Sequence, residues 1–298
     1  MDDKFWRDLH KVLEKQDFKN EEEIKTFLDG LIGQKIPELA DLEMNDEETA
    51  RELIYKAREL SPIEARQNIE DALLFDPNCI DAYELLGSFE EEYAIAICFY
   101  KRGVDIGKEI FGGRFLDEHK GKFWGFHETR PFMRCMFQYA DCLYNIDKKK
   151  DCIVVLEELI ELNPNDNQGV RDQLMLFLVE LNEFDKYRNY AAQFEDDFMA
   201  FSCFNKALFA FKTEGESENS NSILKHALEK NKFVAKKLIS SKPQVDFPGF
   251  YGIGDNNEAI YYAVYAQDIW QETDGAIEWL KKHSAAKNKV PTGKKNKG

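Results

Sequence analysis

Arg130 and Arg134 stand four residues apart, just after Trp124, His127 and Glu128, and this is where the sequence concentrates residue types that could form a specific site. Residues at that spacing share a helix face, so the two guanidinium groups with Trp124 could grip a carboxylate or a peptide terminus through bidentate hydrogen bonds. Pro131 suits the first turn of the helix, and Thr129 or Glu128 could cap it. The surrounding stretch, 111–134, also holds Phe111, Gly112, Gly113, Phe123, Gly125 and Phe126. An irregular insertion of that length is either functional or a packed Ω-type element. The competing reading of the arginines is a buried Arg–Glu network that fixes the insertion against neighbouring helices.

Other chemistry finds less support. His119, His127, Cys135 and Cys142 match no compact metal-ligand spacing, although Cys135 and Cys142 share a helix face, and core cysteines are the expectation. The run from Tyr251 through Gly252, Ile253, Gly254 and Asp255 lacks the third glycine and the preceding strand of a dinucleotide fingerprint. It reads as a turn that caps a helix at Asn256 or Asn257. No G-x-S-x-G is present, the five histidines are scattered, and 56 acids make paired carboxylates uninformative. No catalytic residue, cofactor or metal is therefore expected, and the chain is read as a non-enzyme. The acid runs at 21–23 and 90–92 read as solvated helix faces.

The elements that must position such a site follow from composition and period. Hydrophobic residues are 43% and charged residues 32% of 298, with 23 Phe and 12 Tyr, enough apolar material for a packed interior. The length exceeds one ordinary core, yet no Pro/Gly/Ser-rich linker divides it, which favours one continuous repeat array. Seven lysines and no acid follow from Lys281 onward, so the net charge of −16 leaves −23 on residues 1–280. An acidic body repels phosphate backbones, which argues against nucleic acid, and it steers cationic peptides or basic protein faces. The six cysteines read as reduced core residues. No apolar leader and no run of 18 apolar residues is seen, so neither secretion nor a membrane is expected, and the location expected is cytoplasmic.

Residues 1–45 read as an N-terminal helical cap, with Phe5, Trp6, Leu9, Val12 and Leu13 on one amphipathic segment and Ile24, Phe27, Leu28, Leu31 and Ile32 on a second. Residues 34–45 read as a loop. From 46 to 283 a period near 34 residues emerges. Ala65, Ile69, Ala72, Asp76 and Pro77 close one unit, and Tyr83, Leu86 and Gly87 open the next, followed by Ala96, Tyr100 and Gly103. The cleanest unit spans 133–166, with Met136, Tyr139, Ala140 and Leu143, then Cys152, Leu156 and Leu159, closed by Asn163 and Pro164. Small residues at fixed offsets and a terminal Pro are the mark of tetratricopeptide helix hairpins. The expected fold is all-α, a right-handed superhelical solenoid of about six such hairpins, with an irregular inserted loop near 111–130. Residues 232–255 should hold one short helix and a loop, followed by a last hairpin. Residues 284–298 read as a basic disordered tail.

The strings KFWGFHETRPFMR, LIELNPNDNQGVRDQL and YGIGDNNEAIYYA resemble a widespread, mostly bacterial group of tetratricopeptide proteins. The stretch 227–280 also resembles the eukaryotic suppressor of tumorigenicity 7 family. What the resemblance implies is a repeat scaffold with no established reaction. The eukaryotic proteins carry N-terminal hydrophobic segments that this sequence lacks. The bacterial group's usual Asn-Pro is replaced by Asn231 and Lys232, which suggests a longer continuous helix there. Tyr187, Tyr190 and Tyr262, with Tyr261 and Tyr265, are candidates to face a concave groove. The function expected is a protein–protein interaction scaffold whose acidic groove takes a peptide or protein of basic character. A small-ligand binder or enzyme centred on 111–134 is the alternative.

Overall fold

The computed structural model describes residues 9, 12–13, 16–32, 44–244 and 247–286. Phe5 and Trp6, most of the loop expected at 34–45, and the lysines from 287 onward lie outside these residues. Fifteen α-helices run from Glu21 to Ala286, and no strand occurs among the described residues. They fall into two compact units, Met1–Asn167 and Gln168–Gly298, where periodicity alone suggests one array.

The first unit contains α1 (Glu21–Leu31), α2 (Asp46–Arg58), α3 (Pro62–Phe75), α4 (Ile80–Ser88), α5 (Tyr93–Phe111), α6 (Arg114–His119), α7 (Arg130–Asn145) and α8 (Lys149–Leu162). Local sequence sets the ends. Asn45 and Glu48 exchange side-chain to backbone hydrogen bonds of 2.9 and 3.1 Å, a capping box that starts α2. Pro62 occupies the first turn of α3, whose missing N–H costs nothing there. Asp76 and Asn163 both take extended or irregular backbone before a proline, so α3 and α8 stop where the sequence says they should. The helix α1 is capped by Asn20, whose side chain accepts from Glu23 N at 3.0 Å, and its apolar residues Ile24, Phe27, Leu28 and Leu31 are half-buried.

Alternate helices pack through small residues. Ala50, Ala57, Ala65, Ala72 and Ala82 are fully buried and let α2, α3 and α4 approach one another around Ile54 and Ile69. Glycines do the same for α4, α5 and α7. A methyl on Gly87 would lie 2.7 Å from the Tyr100 ring, and methyls on Gly103 and Gly107 would overlap Cys135 and Phe132.

The second unit contains α9 (Val170–Glu180), α10 (Phe184–Gln193), α11 (Ala200–Glu214), α12 (Glu218–Lys230), α13 (Val234–Ile239), α14 (Asn256–Glu272) and α15 (Ala276–Ala286). Leu174, Leu176, Phe177, Leu178 and Val179 make α9 buried on every side. An aromatic spine joins the later helices: Phe201 meets Tyr262 edge-on at 5.1 Å, Trp270 Nε1 donates to Tyr262 Oη at 2.8 Å, and Trp279 stacks on Phe211 at 4.6 Å.

The longer helix suggested at Asn231 is corrected. The helix α12 ends at Lys230 because the buried Asn231 side chain accepts from Phe233 N at 2.9 Å and donates to Asp255 O and Glu258 at 2.8 Å each. An Asn that bonds to loop backbone competes with helix continuation as a proline would. The short helix and loop expected over 232–255 are present as α13 and the segment that follows it.

Candidate functional site

The insertion at 111–134 is a packed element. Phe111, Phe115, Phe123 and Phe132 form a small aromatic core with ring centroids 5.4 to 6.4 Å apart, and His119 stands against Phe115 and Phe126 at 4.6 and 4.8 Å. The aromatics place α6 and the 3-10 turn Phe123–Gly125 between α5 and α7. Thr129 sits at the start of α7 but does not cap it, which corrects that expectation. Its hydroxyl is buried and turned back onto the carbonyls of Phe123 and Phe126, closing the insertion on itself.

The two arginines part company. Arg130 Nε donates to Trp124 O at 3.0 Å and its guanidinium lies over the Trp124 ring at 5.4 Å, so it holds the turn together. Arg134 reaches α4 instead, with Nε on Glu84 at 2.9 Å and Nη2 on Asp81 at 2.9 Å. Arg58 of α2 completes the set, 2.8 Å from Glu84 and 3.4 Å from Asp81. Burial alone would depress the Arg58 guanidinium, but Glu84 and Asp81 more than offset it and raise its pKa. The joint carboxylate grip read from the four-residue spacing is therefore replaced by two separate structural roles. His127 and Glu128 face each other at 3.4 Å.

Replacing Arg134 with Met strands Asp81 and Glu84, whose side chains are 6% and 12% exposed, and among the described residues leaves Arg58 to neutralise both. The expected loss is about 2 kcal/mol, below the figure for a fully buried pair because Arg134 itself reaches solvent, and chemical denaturation measures it. Arg130→Met should cost less, and a larger loss for Arg130→Met would contradict this division of roles.

Two groove candidates are corrected. Tyr187 and Tyr262 are core residues, 2% and 0% exposed, the first stacked on Phe209 at 4.4 Å and the second inside the aromatic spine. Their rings fill space between helices, where an amphipathic pattern also places aromatics. Tyr190, Tyr261 and Tyr265 are half-buried, the last two packed beside Phe247. Five cysteines are buried and Cys98 is exposed, which corrects the reading of all six as core. Among the described residues no group of three or more His, Cys, Asp and Glu converges as for a metal ion.

A cleft of about 400 Å³ opens where the starts of α2, α4 and α7 meet the ends of α3 and α5. Asp46, Glu47, Asp76, Asp81 and Glu128 line it with a single cation, Arg51, which is paired to Glu47 at 2.9 Å. Phe75 and Ile110 form an apolar rim, 47% and 52% exposed. The Cys79 thiol in its wall is pushed up to about 12, by burial first and by Asp81 second, so it stays protonated and is no nucleophile. No period or motif marks this cleft, because its acids come from the starts of α2 and α4, the turn after α3 and the insertion before α7.

Asp141 was also invisible among 56 acids. It lies two turns beyond Arg134 on α7, and burial raises its carboxyl from 3.8 to about 6. No cation answers it among the described residues. A folded-state pKa above the unfolded one means that the native state binds this proton more tightly. Its contribution is therefore favourable only at low pH and is lost as pH rises from about 3.8 through about 6. Asp141→Asn should stabilise by about 1–2 kcal/mol at neutral pH, discounted for partial solvent contact, with no gain near pH 3. Melting curves at the two pH values test the sign, and an equal gain at both would show that the charge is not the cause.

No protein-family model and no solved structure matches the chain. A curated relative does: a human protein described as suppressor of tumorigenicity 7 protein-like is 22% identical, over 75% of this chain and 43% of its own length. The similarity thus extends well beyond the stretch 227–280 on which the resemblance rests, and the chain spans less than half of that relative. No helix among the described residues is long and apolar enough to cross a membrane.

Proposed function

We propose that this protein is an interaction scaffold of tetratricopeptide-like hairpins that holds a peptide or protein of basic character against an acidic groove, and that it is not an enzyme. Repeated local geometry supports the hairpin reading. Asp147 and Asn182, 35 positions apart, take the same left-handed backbone at φ 62° and 61°. Around them Lys148 N bonds to Leu143 O at 2.8 Å and Glu183 N to Leu178 O at 2.9 Å, the same Schellman turn in two successive hairpins.

One observation carries the partner's charge. The first helices of three hairpins, α2, α4 and α7, share a face on which Arg58, Asp81, Glu84 and Arg134 neutralise one another. Asp141 continues the Arg134 stripe of α7 as a desolvated carboxylate without a cation. A partner's Lys or Arg would supply the missing charge. The human relative is distant and leaves this partner unspecified.

Affinity capture at low and high salt, with the natural chain and with Asp141→Lys, tests the reading. Partners released by salt and lost from the variant are the expected result. Capture of no salt-sensitive partner would end it.

A further inference from the structure

The cleft at the helix ends has the makings of a defined subsite, and we infer that it takes one lysine side chain of a basic partner together with an apolar residue beside it. This rests on the scaffold reading and narrows it to one place and one chemistry.

Consider which of the lining acids are already satisfied. Glu47 is paired with Arg51, and Asp81 with Arg58 and Arg134. Asp46, Asp76 and Glu128 remain: among the described residues the Asp76 carboxylate accepts only the backbone N–H of Asn78, at 2.9 Å, and the Glu128 carboxylate faces the imidazole of His127. Among the described residues none of the three has a lysine or arginine partner. They arrive from the start of α2, the end of α3 and the insertion before α7, so they surround the space instead of forming one flat pair. A planar guanidinium fork matches a single carboxylate edge-on, whereas an ammonium with three donors at the end of a flexible stem suits three separate carboxylates.

The walls select the rest of the ligand. Phe75 and Ile110 stand at the rim, about half exposed, with the buried Ile80 and Phe111 below them. A lysine stem lies along such a surface while its charged head stays with the acids. A volume of about 400 Å³ is more than one side chain fills, which leaves room for an apolar neighbour. Charge complementarity commits the occupant to a basic segment, since a carboxylate or phosphate would meet three unneutralised acids.

Methyl NMR of the full chain, with Ile80 and Ile110 as reporters, tests the site using the tripeptide acetyl-Leu-Lys-Leu-amide. Millimolar peptide should shift both methyls. Acetylating the lysine, which keeps the stem and removes the charge, should weaken binding about tenfold or more. Glu128→Gln alone should weaken it, and Asp46→Asn with Asp76→Asn and Glu128→Gln should abolish it. The free spectra of the variants show whether the fold is intact, and if the triple variant is perturbed, Glu128→Gln with the acetylated probe still decides. No shift at either methyl, or equal affinity for the acetylated peptide, overturns the lysine site. Salt-sensitive capture that persists unchanged in Glu128→Gln overturns the subsite and leaves the scaffold reading standing, whereas absence of any salt-sensitive capture removes that reading itself. The five lysines of residues 287–298 offer another occupant. If changing them to Gln moves the Ile110 methyl with no peptide present, the chain's own basic segment fills the cleft and the foreign partner is excluded.

Discussion

Gly107→Val should be the most damaging single substitution in the first unit, lowering stability by about 4 kcal/mol. Gly107 lies inside α5, where a side chain would ordinarily help, since Ala replaces Gly in a helix interior with a gain of about 1 kcal/mol. Here packing decides the sign. A methyl built on Gly107 overlaps the ring of Phe132, which is 3% exposed and locked among Phe111 and Phe123, so the ring cannot turn aside. One turn earlier, a methyl on Gly103 would lie 2.5 Å from Cys135 Sγ, and the two glycines form the flat stripe on which α7 rests. Amide hydrogen exchange should locate the damage in α5, the insertion and α7. Gly125→Ala is the control, because no heavy atom lies within 4 Å of the added methyl and its stability should be unchanged. Normal protection of α7 in Gly107→Val would show that the helices can separate, and the close approach would lose its importance.

In the second unit the corresponding loss should come from Glu258→Ala, about 3–4 kcal/mol. Glu258 is 2% exposed and has no cation partner among the described residues, yet three donors converge on it. Ala200 N bonds to Oε1 at 2.9 Å, while Gly254 N at 2.7 Å and the Asn231 amide at 2.8 Å share Oε2. Those three groups come from the start of α11, the glycine turn before α14 and the end of α12. Alanine would take the acceptor from all three at once; Asn231 keeps its bond to Asp255 O, but Ala200 N and Gly254 N lose theirs, each such loss costing about 1–3 kcal/mol before relaxation. Glutamine keeps the shape but must aim an N–H₂ group at either Ala200 N or the Gly254 and Asn231 pair. Glu258→Gln should therefore fall between the natural chain and alanine. Denaturation followed by the fluorescence of Trp270 and Trp279 reads this unit, and a Gln variant as stable as the natural chain would refute the donor argument.

Both predictions concern residues whose importance is hard to read from a linear chain. Gly87 and Gly103 fell at repeat offsets, so their closeness to other helices was expected in kind. Gly107 did not, although it follows Gly103 by one helical turn. Glu258 looks in the sequence like any first-turn acid of a helix. Only the return of α12 and α11 to the same point makes one carboxylate the acceptor for three chain segments. The Tyr251 to Asp255 run reads as a turn that caps a helix at Asn256 or Asn257; the turn does precede α14, but the cap is Asp255, whose carboxylate accepts from Glu258 N at 2.8 Å, and both asparagines lie inside the helix.

The sequence by itself determined the helical class, the helix ends at Asp76 and Asn163 before prolines, and the presence of an aromatic-rich insertion. Those features are local: caps, prolines and apolar spacing act within one or two turns, and their energies do not depend on what lies opposite. Only the tertiary structure decided what Arg130 and Arg134 do. Their spacing was correct for a shared face, but Arg130 turns to the Trp124 carbonyl, and the acids that meet Arg134 come from α4, some fifty positions earlier. The same holds for Tyr187 and Tyr262, where a ring on a helix stripe reads alike whether a groove or another helix lies beyond it. The acidic cleft was least legible of all, because its carboxylates come from four chain segments and charge among 56 acids has no period to betray it.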